Sequence, residues 1–285
     1  MRQFVLPADW DGSDELRIAG GEARHLVRVL RLGAGDRFPA IDTAGRRHEC
    51  VLVSVEERAV VLSVRRIVGG DGPGPTVPLE DLRGGRGRRK TRAIEEPRLP
   101  NAFRAGGLPR IVLAAALLKG EKFDLVVRQA AEAGVSRVIP LETARSLGRM
   151  SGSARRERQL RIVREALQQS GSPVPTGVED PVELHDLAHR LGEPMGTRLS
   201  LLLHETPLAD GSLHEYLGPR PEEVVLCVGP EGGFAPDEVD FLLASGYFPF
   251  RLPGAVLRAE TAALFAVAAV EIVVSEHDPW IRSQA

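Results

Sequence analysis

Val228-Gly229-Pro230-Glu231-Gly232-Gly233-Phe234 and, further on, Leu257-Arg258-Ala259-Glu260-Thr261-Ala262 hold residue types from which a site can be built. Three glycines in the first segment allow positive φ and let a ligand approach the backbone closely. The segment lacks the Gly-Lys-Ser/Thr ending of a phosphate loop and the spacing of a dinucleotide fingerprint. Glu231 would also repel a phosphate held there. A ligand without phosphate and with positive charge fits better, and S-adenosylmethionine, a sulfonium, is one such molecule. A purely structural tight turn is the other reading. In the second segment Arg258 and Glu260 stand between apolar residues. If buried, both need partners, because an unpaired buried charge is costly. Thr261 reads as the N-cap of a following helix, so a structural salt bridge with a cap is the alternative there.

The elements that must position these residues read as α/β. Strands are expected at 110–117, 136–141, 200–204, 224–228 and 249–252, and helices at 121–133, 153–170, 236–244 and 261–274. Phe123, Val126, Val127 and Ala130 recur at helical spacing, closed by Gly134. Leu160, Val163 and Leu167 are the expected core stripe of 153–170, whose other faces carry Arg155, Arg156, Arg158, Arg161 and Arg164. Pro236, Asp237 and Glu238 suit a helix start, with Val239, Leu242 and Leu243 as its buried stripe. Strands alternating with helices argue for a mostly parallel sheet covered on both faces. A glycine loop joining strand to helix at the carboxyl end of such a sheet is a common ligand position.

Residues 1–66 read instead as a compact β-rich domain. Its strands are expected at 2–6, 37–42, 48–55 and 59–64, with one short helix at 21–30. The stretch 67–110 has no apolar periodicity, and Gly84 to Arg92 holds five cations in nine residues. It reads as a flexible linker, with an RNA-contacting arm as the rival. The expected boundaries are 1–68, 69–108 and 109–285.

Of 285 residues, 43% are hydrophobic and 27% charged, the content of an ordinary soluble domain protein. The net charge is -2, but residues 1–110 hold 20 Lys+Arg against 15 Asp+Glu and the remainder 17 against 24. That asymmetry suits a polyanion meeting the N-terminal part, or merely solvated faces. Cys50 and Cys227 sit in apolar runs and read as buried free thiols in a reducing, cytoplasmic setting. No signal-peptide core opens the chain. The apolar stretch 255–274 contains Arg258, Glu260 and Glu271, which argues against a membrane span. His185 and His189, at i and i+4, lack a third ligand and read as a surface helix, so no metal is expected.

The two segments together resemble the C-terminal signature of the ribosomal RNA small subunit methyltransferase E family, a branch of the SPOUT methyltransferases. Lys119-Gly120-Glu121-Lys122, 129–135, Arg145-Ser146, 165–171, Arg2-Gln3-Phe4 and 25–31 match the same pattern, in order. The resemblance implies a PUA-like β-barrel domain that helps to bind RNA, followed by a SPOUT domain with a deep trefoil knot. It implies S-adenosyl-L-methionine held by Leu203, His204, Glu205, Gly229, Pro230, Glu231, Gly232, Gly233, Leu252, Gly254, Val256, Leu257, Thr261 and Ala262. It also implies a homodimer that methylates N3 of a uridine in the 3′ decoding region of 16S rRNA within the small ribosomal subunit.

Uridine N3 is a poor nucleophile until its proton leaves, so a base or an anion-stabilising cation is required. On this resemblance Arg258 stabilises the uridine anion or positions a phosphate, and Glu260 orients Arg258 or takes the proton. Arg2, His25, Arg28, Arg31, Arg145, Arg149 and Arg155 are the expected RNA contacts. His204 reads as having a positioning or a backbone role rather than acid–base work. Two departures stand out: the insertion 67–110 is long, and Ser172 replaces the arginine usual after Gln-Ser-Gly. A SPOUT enzyme acting on a ribose or another base, and a non-catalytic RNA-binding factor, are the rival readings.

Overall fold

The structure is a computed structural model that describes residues 3–67, 108–147, 153–194, 196–205, 208 and 211–276. The expected linker lies outside these residues except for Leu108, as do Arg2, Arg149 and Thr206. The chain divides into two compact units, Met1–Ala105 and Gly106–Ala285.

In the first unit β1 (Phe4–Val5), β2 (Glu15–Ala19), β3 (Arg37–Ile41), β4 (Arg47–Val55) and β5 (Ala59–Arg66) form one sheet in the order β1-β3-β4-β5-β2. All its pairs are antiparallel except β1 with β3. The register slips between Leu52 and Ser54, a bulge of the kind that curls a strand. Phe4, Leu26, Phe38, Cys50, Leu52 and Leu62 are among the residues filling the concave core, where Phe4 and Phe38 meet edge to face at 5.9 Å. The architecture is PUA-like. Strand β2 was not foreseen. Its sequence, Glu-Leu-Arg-Ile-Ala, offers only Leu16 and Ile18 between charges, and cross-strand pairing with β5 supplies what local pattern does not.

The helix expected at 21–30 divides into α1 (Gly20–Arg24) and a π-helical turn, His25–Val29. Arg31 then adopts φ +57°, the left-handed conformation that ends the turn.

The second unit is a parallel sheet. It comprises β6 (Arg110–Ala116), β7 (Arg137–Glu142), β8 (Gly177–Val178), β9 (Val182–Glu183), β10 (Arg198–Leu203), β11 (Glu223–Val228) and β12 (Phe248–Phe250). The order is β12-β10-β11-β6-β7-β8, with β9 also on β7. The helices are α2 (Lys122–Glu132), α3 (Ser153–Ser170), α4 (Leu187–Leu191), α5 (Leu213–Leu217), α6 (Pro236–Ala244) and α7 (Ala259–Glu276). Alternation along β6 separates the two faces. Val112 and Ala114 join the core formed with Leu187, Phe234 and Leu242. Leu113 faces Val126 of α2 and Ala263 and Val267 of α7. The chain runs out to the edge at β12 and returns with α7 against α2, β6 and β11, the return passage that a trefoil knot requires.

Four sequence expectations change here. Leu160 is 51% exposed, and Gln159, Ile162, Val163, Ala166 and Leu167 form the buried stripe of α3 instead. Leu243 is likewise exposed, leaving Val239 and Leu242 as the inward residues of α6. Helix α7 starts at Ala259, so Thr261 lies within its first turn and is not the cap. The backbone carbonyl of Arg258 accepts the N–H groups of Thr261 and Ala262. The paired histidines do not share a regular helix: His185 belongs to a 3-10 turn, Leu184–Asp186, and its ring packs on Phe241 at 4.5 Å. Among the described residues no cluster of three metal-ligating side chains occurs, and no helix is long and apolar enough to cross a membrane.

Both cysteines are free and buried. Burial raises the Cys50 thiol to about 12 and the Cys227 thiol further.

Glu271 is half-buried on α7, and burial raises its carboxyl to about 7 from an ordinary 4.5. A folded-state pKa above the unfolded value means stability is greatest when the group is protonated and falls as pH rises from 4.5 towards 7. Glu271→Gln should therefore melt higher than the parent at about pH 8, by on the order of 1–2 kcal/mol. The gap should close by pH 4.5, and thermal denaturation at the two pH values measures it.

Candidate active site at the carboxyl ends of the parallel strands

Strand register places the site. Leu203 of β10 pairs with Val228 of β11 on one side and Phe250 of β12 on the other. Val228 in turn pairs with Ala115 of β6. Four neighbouring parallel strands thus end level, and the loops that leave them, at 117–121, 204–205, 229–233 and 251–258, open at one edge of the sheet. The N–H of His204 donates to the carbonyl of Phe250 at 3.1 Å, tying two of those exits together.

The glycine loop is held by contacts from distant segments. A Cβ at Gly229 would lie 3.1 Å from the ring of Phe234, a buried side chain, so glycine is required there for close packing. Gly233 has φ +67°, a left-handed conformation costly for other residues. Arg145, expected among the RNA contacts, donates from Nη1 to the carbonyl oxygens of Gly232 at 2.8 Å and Phe234 at 3.2 Å. The buried Glu238 accepts from the N–H of Ala235 at 2.8 Å and of Ala144 at 2.7 Å. It thereby fastens the 143–147 loop to the start of α6.

Glu231 is not the free anion that its sequence position suggests. Its Oε1 accepts from Lys122 Nζ at 2.8 Å. Burial works against its charge, but the Lys122 ammonium and the N–H groups of Glu231 and Lys119 outweigh it, holding the carboxyl below the ordinary range. The repulsion expected for phosphate is therefore largely answered within the protein.

Arg258 and Glu260 differ sharply in environment. Arg258 is exposed, whereas Glu260 is only 8% exposed. Glu260 Oε2 is buried without a hydrogen-bond partner among the described residues. Neither residue makes an ion pair or hydrogen bond to the other among those described. Glu260 lies in the first turn of α7, where the unsatisfied N–H groups favour a negative charge. Both act on Lys122: the Glu231 bond chiefly raises its pKa, slight burial opposes this, Glu260 raises it further, and Arg258 lowers it. The 119–122, 229–233 and 258–260 segments thus form one charged cluster beside the loops. Lys122 was absent from the expected site residues. Only its place in the Lys-Gly-Glu-Lys match marked it.

Among the other expected ligand residues, Leu252 and Leu257 are partly buried, Gly254 is exposed with φ +93°, and Val256 is 79% exposed. Leu203, His204, Thr261 and Ala262 are half-buried, and Glu205 is exposed. An apolar side chain as open as Val256 next to backbone-rich loops suits a ligand with a flat, uncharged part. In the first unit His25 is half-buried, while Arg28 and Arg31 are exposed. Arg155 on α3 is half-buried, as is Ser172.

Two family models match: an RNA methyltransferase domain over residues 107–271 and an RNA methyltransferase PUA domain over 18–65. A ribosomal RNA small subunit methyltransferase E from Mycobacterium bovis is 30% identical over 249 residues, covering 84% of this chain and 92% of the relative. The chain belongs to the ribosomal RNA small subunit methyltransferase E family. A Synechocystis member is 30% identical, with 89% of this chain and 71% of its own length aligned. Among solved structures, the Neisseria gonorrhoeae member of the same name, bound to S-adenosyl methionine, superposes with a TM-score of 0.67 at 21% identity. The match covers 96% of this chain and 98% of that one. A probable rRNA-methyltransferase from Porphyromonas gingivalis gives 0.70 at 23% identity, covering 98% and 100%. These likenesses show the fold, that of the two-domain SPOUT methyltransferases with a PUA-like first domain.

The packing at Gly229 gives a direct test of the loop. Gly229→Ala should lower stability by about 1–2 kcal/mol, because the buried Phe234 ring must shift to admit the methyl group. The urea midpoint of the variant, set against that of the parent, measures the loss.

Proposed function

We propose that this protein transfers the methyl group of S-adenosyl-L-methionine to N3 of a uridine in the 3′ decoding region of 16S rRNA, within the small ribosomal subunit, as a homodimer. The observation that carries the reading is a buried carboxylate oxygen of Glu260, without a partner among the described residues, at the start of the helix that follows the 251–258 strand-exit loop in a chain of this family. The loops 203–205, 229–233 and 252–257, with Thr261 and Ala262, would hold the donor. Bound there, the donor supplies an electrophilic methyl group whose departure neutralises the sulfonium.

The chain's own residues must deal with the uridine proton. Glu260 is suited to accept it, since its buried Oε2 has no competing hydrogen bond among the described residues. Arg258, exposed on the neighbouring position, is suited to stabilise the negative charge that spreads onto the base oxygens as the proton leaves. The absence of a bond between the two favours separate roles over the alternative in which Glu260 orients Arg258. Arg145, already committed to the glycine loop, would serve RNA binding only indirectly, while His25, Arg28 and Arg31 would meet the phosphate backbone from the PUA-like unit, and Arg155 from α3.

Purified small subunits incubated with labelled donor, followed by nucleoside analysis, should yield N3-methyluridine. A methylated ribose, another base, or no transfer overturns the reading. Glu260→Gln should lower kcat by about 10²–10⁴-fold and leave donor affinity, read by calorimetry, within a few-fold of the parent. Arg258→Ala should lower kcat as well, and near-parental turnover in both variants would remove these roles.

The PUA-like contribution is tested at Arg31. Because its φ of +57° suits glycine, Arg31→Gly should leave the fold intact or raise stability by about 0.5–1 kcal/mol. It should nevertheless weaken small-subunit affinity and reduce the salt slope by about one. Unchanged affinity would exclude Arg31 from the interface.

A further inference from the structure

The glycine loop and the α7 carboxylate are linked by a residue outside both motifs. Lys122 opens α2, which packs along α7, so the first turns of the two helices bring Lys122 towards Arg258 and Glu260. Its Nζ donates to Glu231 Oε1 at 2.8 Å, across 109 residues of sequence. This hydrogen bond ties the start of α2 to the glycine loop. The side chains of Lys122 and Glu231 are 38% and 25% exposed. A pair so exposed adds little to stability, which makes a purely structural purpose a poor account of a contact that joins the 119–122 turn to the glycine loop.

We infer that Lys122 is a positioning residue for methyl transfer, which through Glu231 sets the glycine loop against the donor. This rests on the function proposed above. Lys122 pairs with Glu231, and the neighbouring Glu121 and Asp124 of the α2 start are both taken by Arg158 at 2.8 Å. With Lys122 removed, Glu231 would lose the hydrogen bond that ties the glycine loop to the start of α2.

The test compares Lys122→Met, Lys122→Arg, Glu231→Gln and the Lys122→Met/Glu231→Gln double variant as full-length proteins. Donor binding is read by calorimetry, and kcat is read on small subunits. Lys122→Met should lose at least about tenfold in kcat. Lys122→Arg should recover most of the activity. Donor affinity should fall in Lys122→Met and Glu231→Gln alike, and the double variant should fall no further than the worse single variant. A Lys122→Met enzyme with parental kcat and donor affinity overturns the inference and leaves the proposed function standing. Additive losses in donor affinity overturn the coupling through Glu231. A parent protein without donor affinity or transfer instead overturns the proposed function, and the inference with it. Circular dichroism and the urea midpoint establish that each variant is folded, and Lys122→Arg keeps the test open if Lys122→Met is not.

Discussion

Everything at the proposed site depends on four parallel strands ending level. In a parallel ladder each residue's height is set by its neighbour's register, so a slip of one residue would move a whole loop and reverse its side chains. Leu203, Val228, Phe250 and Ala115 are tied across the sheet in one row. The glycine loop, the 251–258 loop and the turn before α2 can meet only because of that row. The sheet interior is correspondingly dry: Val224 to Cys227, Leu201 and Leu202 are fully buried.

The two ends of this sheet treat charge differently. At the amino end Glu223, 3% exposed, is held by Arg198 at 2.6 Å, with Arg110 at 3.8 Å, and Arg198 also donates to the carbonyl of Gly192. Those charges are paired and serve cohesion. At the carboxyl end Glu260 is almost as buried, yet one oxygen has no partner among the described residues. Leaving such a group unsatisfied costs free energy, and folds tolerate that chiefly where chemistry needs it. The helix start beneath Glu260 lowers that cost without occupying the free oxygen.

Much of this was legible in the chain itself. Helical spacing located α2 and α6, apolar runs located β6, β7, β10, β11 and β12 but not the two-residue β8 and β9, and the glycine segment with Arg258 and Glu260 marked the segments of the proposed site. What escaped notice was decided by tertiary contact. Strand β2 exists because β5 pairs with it, and its own pattern is too short and too charged to announce it. Leu160 looked like core at helical spacing, but Gln159 takes the inward position beside α2. Thr261 resembled a cap because its type suits one, whereas a backbone carbonyl from Arg258 does that work a residue earlier in the fold. The pairing of Lys122 with Glu231 spans too much chain for any local pattern to reveal. Glu231 therefore looked like a free charge when it is a neutralised one.

The two cysteines give the molecule a private pair of gauges. Cys50 lies in the core of the first unit and Cys227 in the core of the second, each fully enclosed. Burial holds both thiols far from ionisation, and only the thiolate reacts readily with an alkylating reagent. Neither can be modified until its own core opens. The rate at which each sulfur is labelled is therefore a clock for the opening of one unit, readable separately from the other in an unaltered chain.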